Sequence, residues 1–425
     1  MKTQNLKGKK LLLMSGSKDA CEIVKIAHDL GILVYATDWY QDSPVKRIAD
    51  KSFMVSTADV DAIVELCQQE GIDGIFSGYT DSVLPYCQEA CARLGLPFWG
   101  NKENIEMCID KNLFKVACEQ SSLPVVPYVK MNQSNYLELI QTLTAPVVFK
   151  PVDNSGSRGV YKCYKDSDLK EYCEKALSYS KSKEILAEKL MDANCEYSVY
   201  YILDKGKAYL TAMGDRYVYE IDNNIAPVGL GMRFPSTRLS QWIKEIDPLM
   251  MNFFKKNQMK NGFVFVQGFY MDKQFYIHEI GYRLNGGFTY KLVEHFSGYN
   301  QVEQLLRFAL TGEMNTDDVK KSNPFFNGIG MIVTTTLKNG IIGSIQGVEE
   351  IRRYPGVLDL FQLKEIGNEL STPGTTAQVF SYSLCATDTL NDMRNLIKTM
   401  KSTFVIKDIS GEDMILPMID ENNIN

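Results

Sequence analysis

Two hydrophobic periods alternate through the first hundred residues. Residues 10–14 carry the unbroken run Leu-Leu-Leu-Met, which predicts a buried strand. Residues 20–30 space Ile23, Ile26, Ala27 and Leu30 as a helix does and stop at Gly31. Strand patterns over 32–36 and 52–55 follow, then a helix over 60–69 that ends before Gly71. Residues 74–77 predict a further strand, 82–94 a helix ended by Gly95, and 96–99 a strand that closes the unit. Short strands alternating with helices of this length imply a parallel α/β sheet.

Beyond it, 104–120 reads as helix interrupted near Cys108–Lys111, and Pro124 and Pro127 mark an extended connection. A helix near 134–143, strands at 146–150 and 160–164, a helix at 167–179 and a strand at 184–189 form a small α+β unit. The chain then becomes β-rich, with strands at 196–203, 207–213, 263–270 and 274–280 and helices near 237–257 and 299–311. After Pro324 come strands at 329–336 and 340–347, a short helix at 348–353, and a βαβ-like stretch to 419.

The chain has 425 residues, a length that suits two to four domains or one enzyme of several lobes. Its 46 Lys/Arg against 52 Asp/Glu give a charge of −6, which argues against sequence-independent nucleic-acid binding. A polyanionic small ligand held by a few placed lysines is compatible with it. No apolar run approaches the ~18 residues of a membrane span, and Ser15-Gly16-Ser17-Lys18 ends the first one too early for a signal peptide. The ten cysteines form no Cys-x-x-Cys pair; Cys87 and Cys91, four apart on one helix face, read as core. The expectation is a cytoplasmic protein with reduced thiols, no membrane contact and no nucleic-acid partner.

Four places could carry chemistry. The turn Met14-Ser15-Gly16-Ser17, with Asp38 about twenty residues on, has one of the three glycines of a dinucleotide fingerprint, so an ordinary βα turn is the simpler reading. In Lys150-Pro-Val-Asp-Asn-Ser155-Gly156-Ser157-Arg-Gly159, a strand ends in a lysine before a loop of small residues, which lets backbone N–H groups and a point charge meet phosphate. The strand containing Glu188, Lys189 and Leu190, with Glu196 in the next one, could offer its edge to an adenine and a carboxylate to a ribose. The fourth is the hairpin 263–280. A two-residue turn at Asp272-Lys273 pairs Gln267 with His278, whereas a three-residue turn sets Gln267 opposite Glu279 and makes an oxygen-ligand site for Mg2+. Arg283, Asn285, Gly286 and Gly287 follow.

In this order the pieces resemble the ATP-grasp superfamily: Asp110-Lys111, the strand into Lys150-Pro with its Gly/Ser loop, Glu188-Lys189 with Glu196, and Glu279-x-x-x-Arg283-x-x-Gly-Gly. The intervals from Lys111 to Lys150 (39) and from Lys150 to Glu188 (38) suit the family's two-lobed cleft. The resemblance implies an α/β and α+β protein: an N-terminal parallel α/β domain (1–100), an ATP-grasp core (101–325) whose lid spans about 125–190, and a C-terminal β-rich lobe (326–425). It implies that Lys111 and Lys150 bind ATP phosphates with Ser155, Gly156, Ser157 and Gly159. Glu188, Lys189 and Leu190 would line the adenine, and Glu196 would hold the ribose. Gln267 and Glu279 would bind Mg2+, with Mn2+ an acceptable replacement, and Arg283 would stabilise the transferring phosphoryl group. Many members carry a further metal ligand, Asn, where this chain has Gly281; Asn285 is the residue that could compensate.

The implied reaction is ligation. A carboxylate attacks the γ-phosphate of ATP to give an acyl-phosphate, and an amine then displaces phosphate. Such transfer needs positioning and charge neutralisation more than a nucleophilic side chain. The L-amino-acid-ligase-like branch fits better than biotin-carboxylase-like chemistry, since Leu-Asn-Gly-Gly follows Arg283 in place of Gln-Val-Glu-His. Arg216 and Arg233 are candidate carboxylate anchors. The alternatives are a nucleotide-binding sensor or scaffold without ligase activity, and a carboxylase-like or carbamoyl-phosphate-synthetase-like enzyme. Dimers are common among similar enzymes, so a homodimer is the expected assembly.

Overall fold

The computed structural model describes residues 5–153, 159–221, 227–373 and 375–424. Four parallel strands form the N-terminal sheet, in spatial order Lys51–Phe53, Leu33–Thr37, Lys10–Leu13 and Gly74–Phe76. Alternation explains the unbroken apolar run from Leu11: Leu11 and Leu13 enter one core, Leu12 and Met14 the other. Helices Cys21–Asp29, Val60–Glu70 and Leu84–Leu94 cover the sheet. Asp59 caps the second by accepting from the Ala62 N–H, and Gly71 ends it at φ 64°. Cys87 and Cys91 lie in this packing with Cys67, and all ten cysteines are free thiols.

Residues 96–99, expected as a strand, form none. Pro97 has no N–H to give a ladder. Trp99 instead ties the unit to the next one: its indole donates to the Tyr282 carbonyl at 3.0 Å, and the Tyr282 hydroxyl donates back to the Trp99 carbonyl at 2.9 Å.

The small lobe is a four-stranded antiparallel sheet in the order Tyr128–Asn132, Glu184–Lys189, Val147–Pro151, Tyr161–Cys163. One face (Met131, Val147, Phe149, Ile185, Ala187) packs on helix Leu169–Tyr179. The period of two then sends Lys150, Leu186 and Glu188 to the opposite face.

The rest is dominated by one eight-stranded antiparallel sheet. Its order is Gln274–Gly281, Gly262–Met271, Glu196–Asp204, Lys207–Tyr219, Val228–Phe234, Ile329–Thr336, Val379–Thr387, Val357–Gln362. Strands from both sides of residue 325 therefore share a hydrogen-bonded ladder, through Gly231 opposite Val333. The sequence pattern missed strand Val228–Phe234, because Gly229 and Gly231 interrupt its β signature. Gly231 is required there: a Cβ would lie 2.2 Å from the Ile332 carbonyl oxygen. Helix Thr289–Ser297 was also missed; it begins straight after Gly286-Gly287 and the left-handed Phe288. The expected βαβ-like ending is two sheets, since Val379–Thr387 belongs to the large one and Val405–Asp408 pairs with Gly340–Gln346 in a small one. Among the described residues no helix is long and apolar enough to cross a membrane.

Candidate functional site

Helix Lys111–Gln120 starts with an Asp110 cap that accepts from the Asn112 and Leu113 N–H groups, both at 2.8 Å. The Lys111 N–H donates to the Val152 carbonyl at 3.1 Å, which ties this helix to the strand that presents Lys150. Lys115, one turn further along the same face, is fully buried, donates to the Val126 carbonyl at 2.9 Å and lies 4.8 Å from the Tyr128 ring centre. Its ammonium is 3.0 Å from one oxygen of buried Glu188, and Lys150 is 2.7 Å from the other. Burial pushes the Lys111 and Lys115 ammoniums below the usual lysine range, partly offset at Lys111 by Glu279 and at Lys115 by Glu188. Burial alone would raise the Glu188 carboxyl; Lys150 and Lys115 outweigh it and hold the group below the usual range. Sequence reasoning missed Lys115, although its four-residue offset from Lys111 was a usable signal.

The remaining lobe residues are spread around this cluster. Lys189 is exposed, and its N–H donates to the Pro127 carbonyl at 3.0 Å, while Leu190 is half-buried. Gly159 sits at φ 76°, a conformation natural to glycine. Ser155, Gly156 and Ser157 lie outside the described residues. Glu196 is buried and paired with Arg216, whose Nη1 is 2.5 Å from its carboxylate.

The hairpin combines features of both expected registers. Its turn has two residues, Asp272 and Lys273, both at positive φ, which alone would pair Gln267 with His278. The ladder slips at His278: Gly268 faces Ile277, and Gln267 faces Glu279. Gly268 permits the close packing there, because a Cβ would lie 2.3 Å from both the Tyr276 carbonyl and the Tyr197 hydroxyl. The bulged His278 stacks on Phe269 at 4.9 Å, and its Nε2 is buried without a hydrogen-bond partner. Burial first, then Lys150, Lys115, Arg216 and Lys111, pushes its imidazole well below the usual histidine range.

Arg283 follows the hairpin. Its guanidinium makes a two-pronged pair with Asp81, with Nε donating at 2.6 Å, and it lies 5.0 Å from the Phe265 ring centre. Asp81 opens the short turn Asp81–Val83 of the N-terminal unit, 202 residues away, and sequence reasoning did not single it out. Phe265 also explains Gly281: a Cβ at 281 would lie 2.2 Å from its ring, so an asparagine there would force the ring to move. The oxygens that the hairpin offers at this point are then one carboxylate, Glu279, and the amide of Gln267 opposite it. Few protein oxygens completed by phosphate and water is the set Mg2+ accepts. Among the described residues no group of three His, Cys, Asp or Glu side chains is arranged to hold a metal without such help.

A cavity of about 310 Å3 adjoins the hairpin and is lined by Gln267, Asn285 and Arg216 together with side chains of the C-terminal strands. Asn285 is oriented by its amide, which donates to the Gly286 carbonyl at 2.6 Å and to the Thr289 hydroxyl at 2.9 Å. Of the two candidate anchors, Arg216 lines this cavity; Arg233 bonds the Pro235 carbonyl and is not among the lining residues. The N-terminal turn is filled by its own side chains. A Cβ on Gly16 would lie 2.0 Å from the Asp38 carboxylate, which accepts from Ser43 at 2.6 Å and pairs with Lys46 at 3.0 Å.

Residues 110–220 match the family described as the carbamoyl-phosphate synthase L chain, ATP binding domain. The chain is 25% identical over 209 residues to the formate-dependent phosphoribosylglycinamide formyltransferase of Sulfurisphaera tokodaii, covering 47% of this chain and 51% of that one. It is 27% identical over 183 residues to the enzyme of the same name from Bacillus subtilis, covering 41% and 46%. The chain thus spans about half the length of the curated relatives it matches. Among solved structures it is similar to the L-amino acid ligase from Bacillus licheniformis, with a TM-score of 0.78 at 18% identity over 95% of this chain and 99% of that one. Phosphoribosylglycinamide synthetase from Anaerococcus prevotii gives 0.75 at 17% over 95% and 100%. The biotin carboxylase domain dimer of Hydrogenobacter thermophilus 2-oxoglutarate carboxylase, in complex with MgADP, ADP and bicarbonate, gives 0.76 at 16% over 96% and 91%. The ATP-binding family match over residues 110–220 and the whole-chain likeness to these enzymes make one structural assignment: the chain has the ATP-grasp fold.

Proposed function

We propose that the chain is an ATP-dependent ligase that activates a carboxylate as an acyl-phosphate for attack by an amine, releasing ADP and phosphate. The observation that carries this reading is the double position of Gln267, which stands opposite Glu279 across the hairpin and also lines the cavity beside Arg216. A phosphate-binding side and a substrate-binding side therefore meet at one residue.

Lys111 and Lys150 bind the ATP phosphates, with Ser155, Gly156, Ser157 and Gly159 donating from the loop. Lys115 and Glu188 hold Lys150 in position. Glu188, Lys189 and Leu190 border the adenine, and Glu196, braced by Arg216, accepts from the ribose. Glu279 and Gln267, with Asn285 beside them, would hold Mg2+ or Mn2+; the ion supplies positive charge against the phosphates. Arg283 neutralises charge on the transferred phosphoryl group and on the acyl-phosphate. Closure of the small lobe keeps water from hydrolysing that intermediate. The complexes of the biotin carboxylase domain support a magnesium nucleotide as ligand, and its dimer supports a homodimer here. The partners are ATP and small molecules in the cytoplasm.

The rival reading, a nucleotide sensor without ligase activity, is favoured by one observation: Asp81 already occupies the Arg283 guanidinium. Carboxylate- and amine-dependent ADP release separates the two. Under the ligase reading some pair from a broad panel releases ADP, and Arg283→Ala abolishes that release. ATP binding with no release from any pair refutes it.

A further inference from the structure

We infer that the cavity beside Gln267 takes the apolar body of the carboxylate substrate, a group of phenyl size or larger, and that Gly286 sets its size limit. This rests on the ligase reading for the identity of the occupant and on the cavity alone for its chemistry. The volume of about 310 Å3 is roughly twice that of a cavity that admits benzene, at about 150 Å3. A one-carbon donor such as formate would leave most of it unfilled.

Much of the lining is apolar. Val228, Met232, Ile332 and Val379 contribute aliphatic surface, and Tyr200 and Tyr382 contribute ring faces. Besides threonine hydroxyls, the lining offers three stronger polar groups, Arg216, Gln267 and Asn285. Pockets of this kind fix orientation through few polar groups and gain affinity from the apolar ones. Arg216, Gln267 and Asn285 suit a carboxylate, and the aliphatic and ring surfaces suit a hydrophobic substituent.

Gly286 lines the same space. A Cβ built on it meets no atom within 4 Å, and its φ is not in the left-handed region. No packing or backbone requirement explains the missing side chain, so the open volume in front of it is available to a ligand. Its neighbour Gly287 differs, since φ 85° calls for glycine on conformational grounds.

The test uses the full chain with MgATP and hydroxylamine. A carboxylate oxygen bonds to the γ-phosphorus as the bond to ADP breaks. The hydroxylamine nitrogen then attacks the acyl carbon, loses a proton and expels phosphate, leaving a hydroxamate. Donors are formate, acetate, glycine, leucine, phenylalanine and 3-phenylpropionate. The same compounds are titrated by thermal shift in the presence of MgADP. Wild type is expected to favour the leucine-to-phenyl donors over formate and acetate in both readouts. Gly286→Leu is expected to lower kcat/KM and affinity for phenyl donors about tenfold or more, with MgADP binding retained. Val379→Ala, on the opposite wall, is expected to shift preference toward the larger donors and covers the case of a misfolded Gly286→Leu. A preference for formate, or a donor ranking unchanged in both variants, overturns the inference and leaves the ligase reading standing. Size-selective binding without hydroxamate upholds the cavity and refutes the ligase.

Discussion

The pairing of Glu188 with two lysines sets a definite cost for removing its charge. In Glu188→Gln, Lys115 and Lys150 lose a carboxylate at 3.0 and 2.7 Å, and their side chains are only 0% and 7% exposed. Each contact is worth about 6 kcal/mol in gross Coulomb energy at an effective dielectric of ~20, against which desolvation of all three groups counts. Breaking a buried pair from one side costs about 3–5 kcal/mol net. A second bound follows from titration. A lysine that finds its charge too costly sheds its proton, and from a reference of ~10.4 that costs about 4.6 kcal/mol at pH 7 but only about 1.9 at pH 9. In the variant the folded state binds fewer protons than the unfolded one, so its stability rises with pH relative to wild type. At the acid end the sign comes from Glu188 itself. Its folded-state value lies below the usual range, so its contribution is present above pH ~4.5 and is lost as pH falls through the folded value. Hydrogen exchange of the amides in Glu184–Lys189, corrected for intrinsic rates, reads the local stability. Protection should fall about 150- to 5,000-fold at pH 7 and distinctly less at pH 9. A loss under threefold at pH 7, or one that does not shrink by pH 9, would refute the electrostatic account.

Gly281→Asn alone should destabilise the chain by roughly 2 kcal/mol or more in urea unfolding, because its Cβ falls 2.2 Å from the Phe265 ring. Adding Phe265→Ala should recover part of that loss and tighten Mn2+ binding measured by electron paramagnetic resonance; a stable single variant contradicts the steric explanation. For Asp81→Ala and Arg283→Ala, a double-mutant cycle on unfolding free energy should give a coupling of about 1–3 kcal/mol, given 13% and 23% side-chain exposure, and a value below about 0.5 would mean that the pair does not join the units. Gly16→Ala should lower the melting temperature through its contact with the Asp38 carboxylate, and Gly16→Ala with Asp38→Ala should restore part of the loss; equal melting of both variants would show that the contact relaxes freely.

The legible parts of the fold are those where one segment's own periodicity decides its neighbours. Strand Lys10–Leu13 is apolar at every position after Lys10 because both faces are covered, and that needs no partner to be recognised. Lys150 and Glu188 could be read as cleft-facing because Val147, Phe149, Ile185 and Ala187 use up the other face. What failed is information held by other segments. Strand Val228–Phe234 looks like a loop until the backbone of Ile332 comes close enough to demand Gly231. The pattern of residues 379–408 gives strand, helix and strand, and nothing within it says that the two strands join different sheets.

The hairpin makes the same point at the site, and there the distinction has chemical consequences. Turn chemistry is local: Asp272-Lys273 selects a two-residue loop, and counting outward from it pairs Gln267 with His278. That register would separate Gln267 from Glu279 and leave no shared oxygen site. The slip that reunites them depends on Gly268, whose missing Cβ makes room for the Tyr197 hydroxyl and the Tyr276 carbonyl, groups 79 residues apart in the chain. Strand Glu196–Asp204, which carries Tyr197, packs beside the hairpin and thereby sets the register of two residues it does not itself contain. The displaced His278 is the by-product, its buried Nε2 left without a hydrogen-bond partner within the field of four cations. A ligand site that exists only in the bulged register is thus specified by the third strand of the ladder, which is why turn length alone left its geometry open.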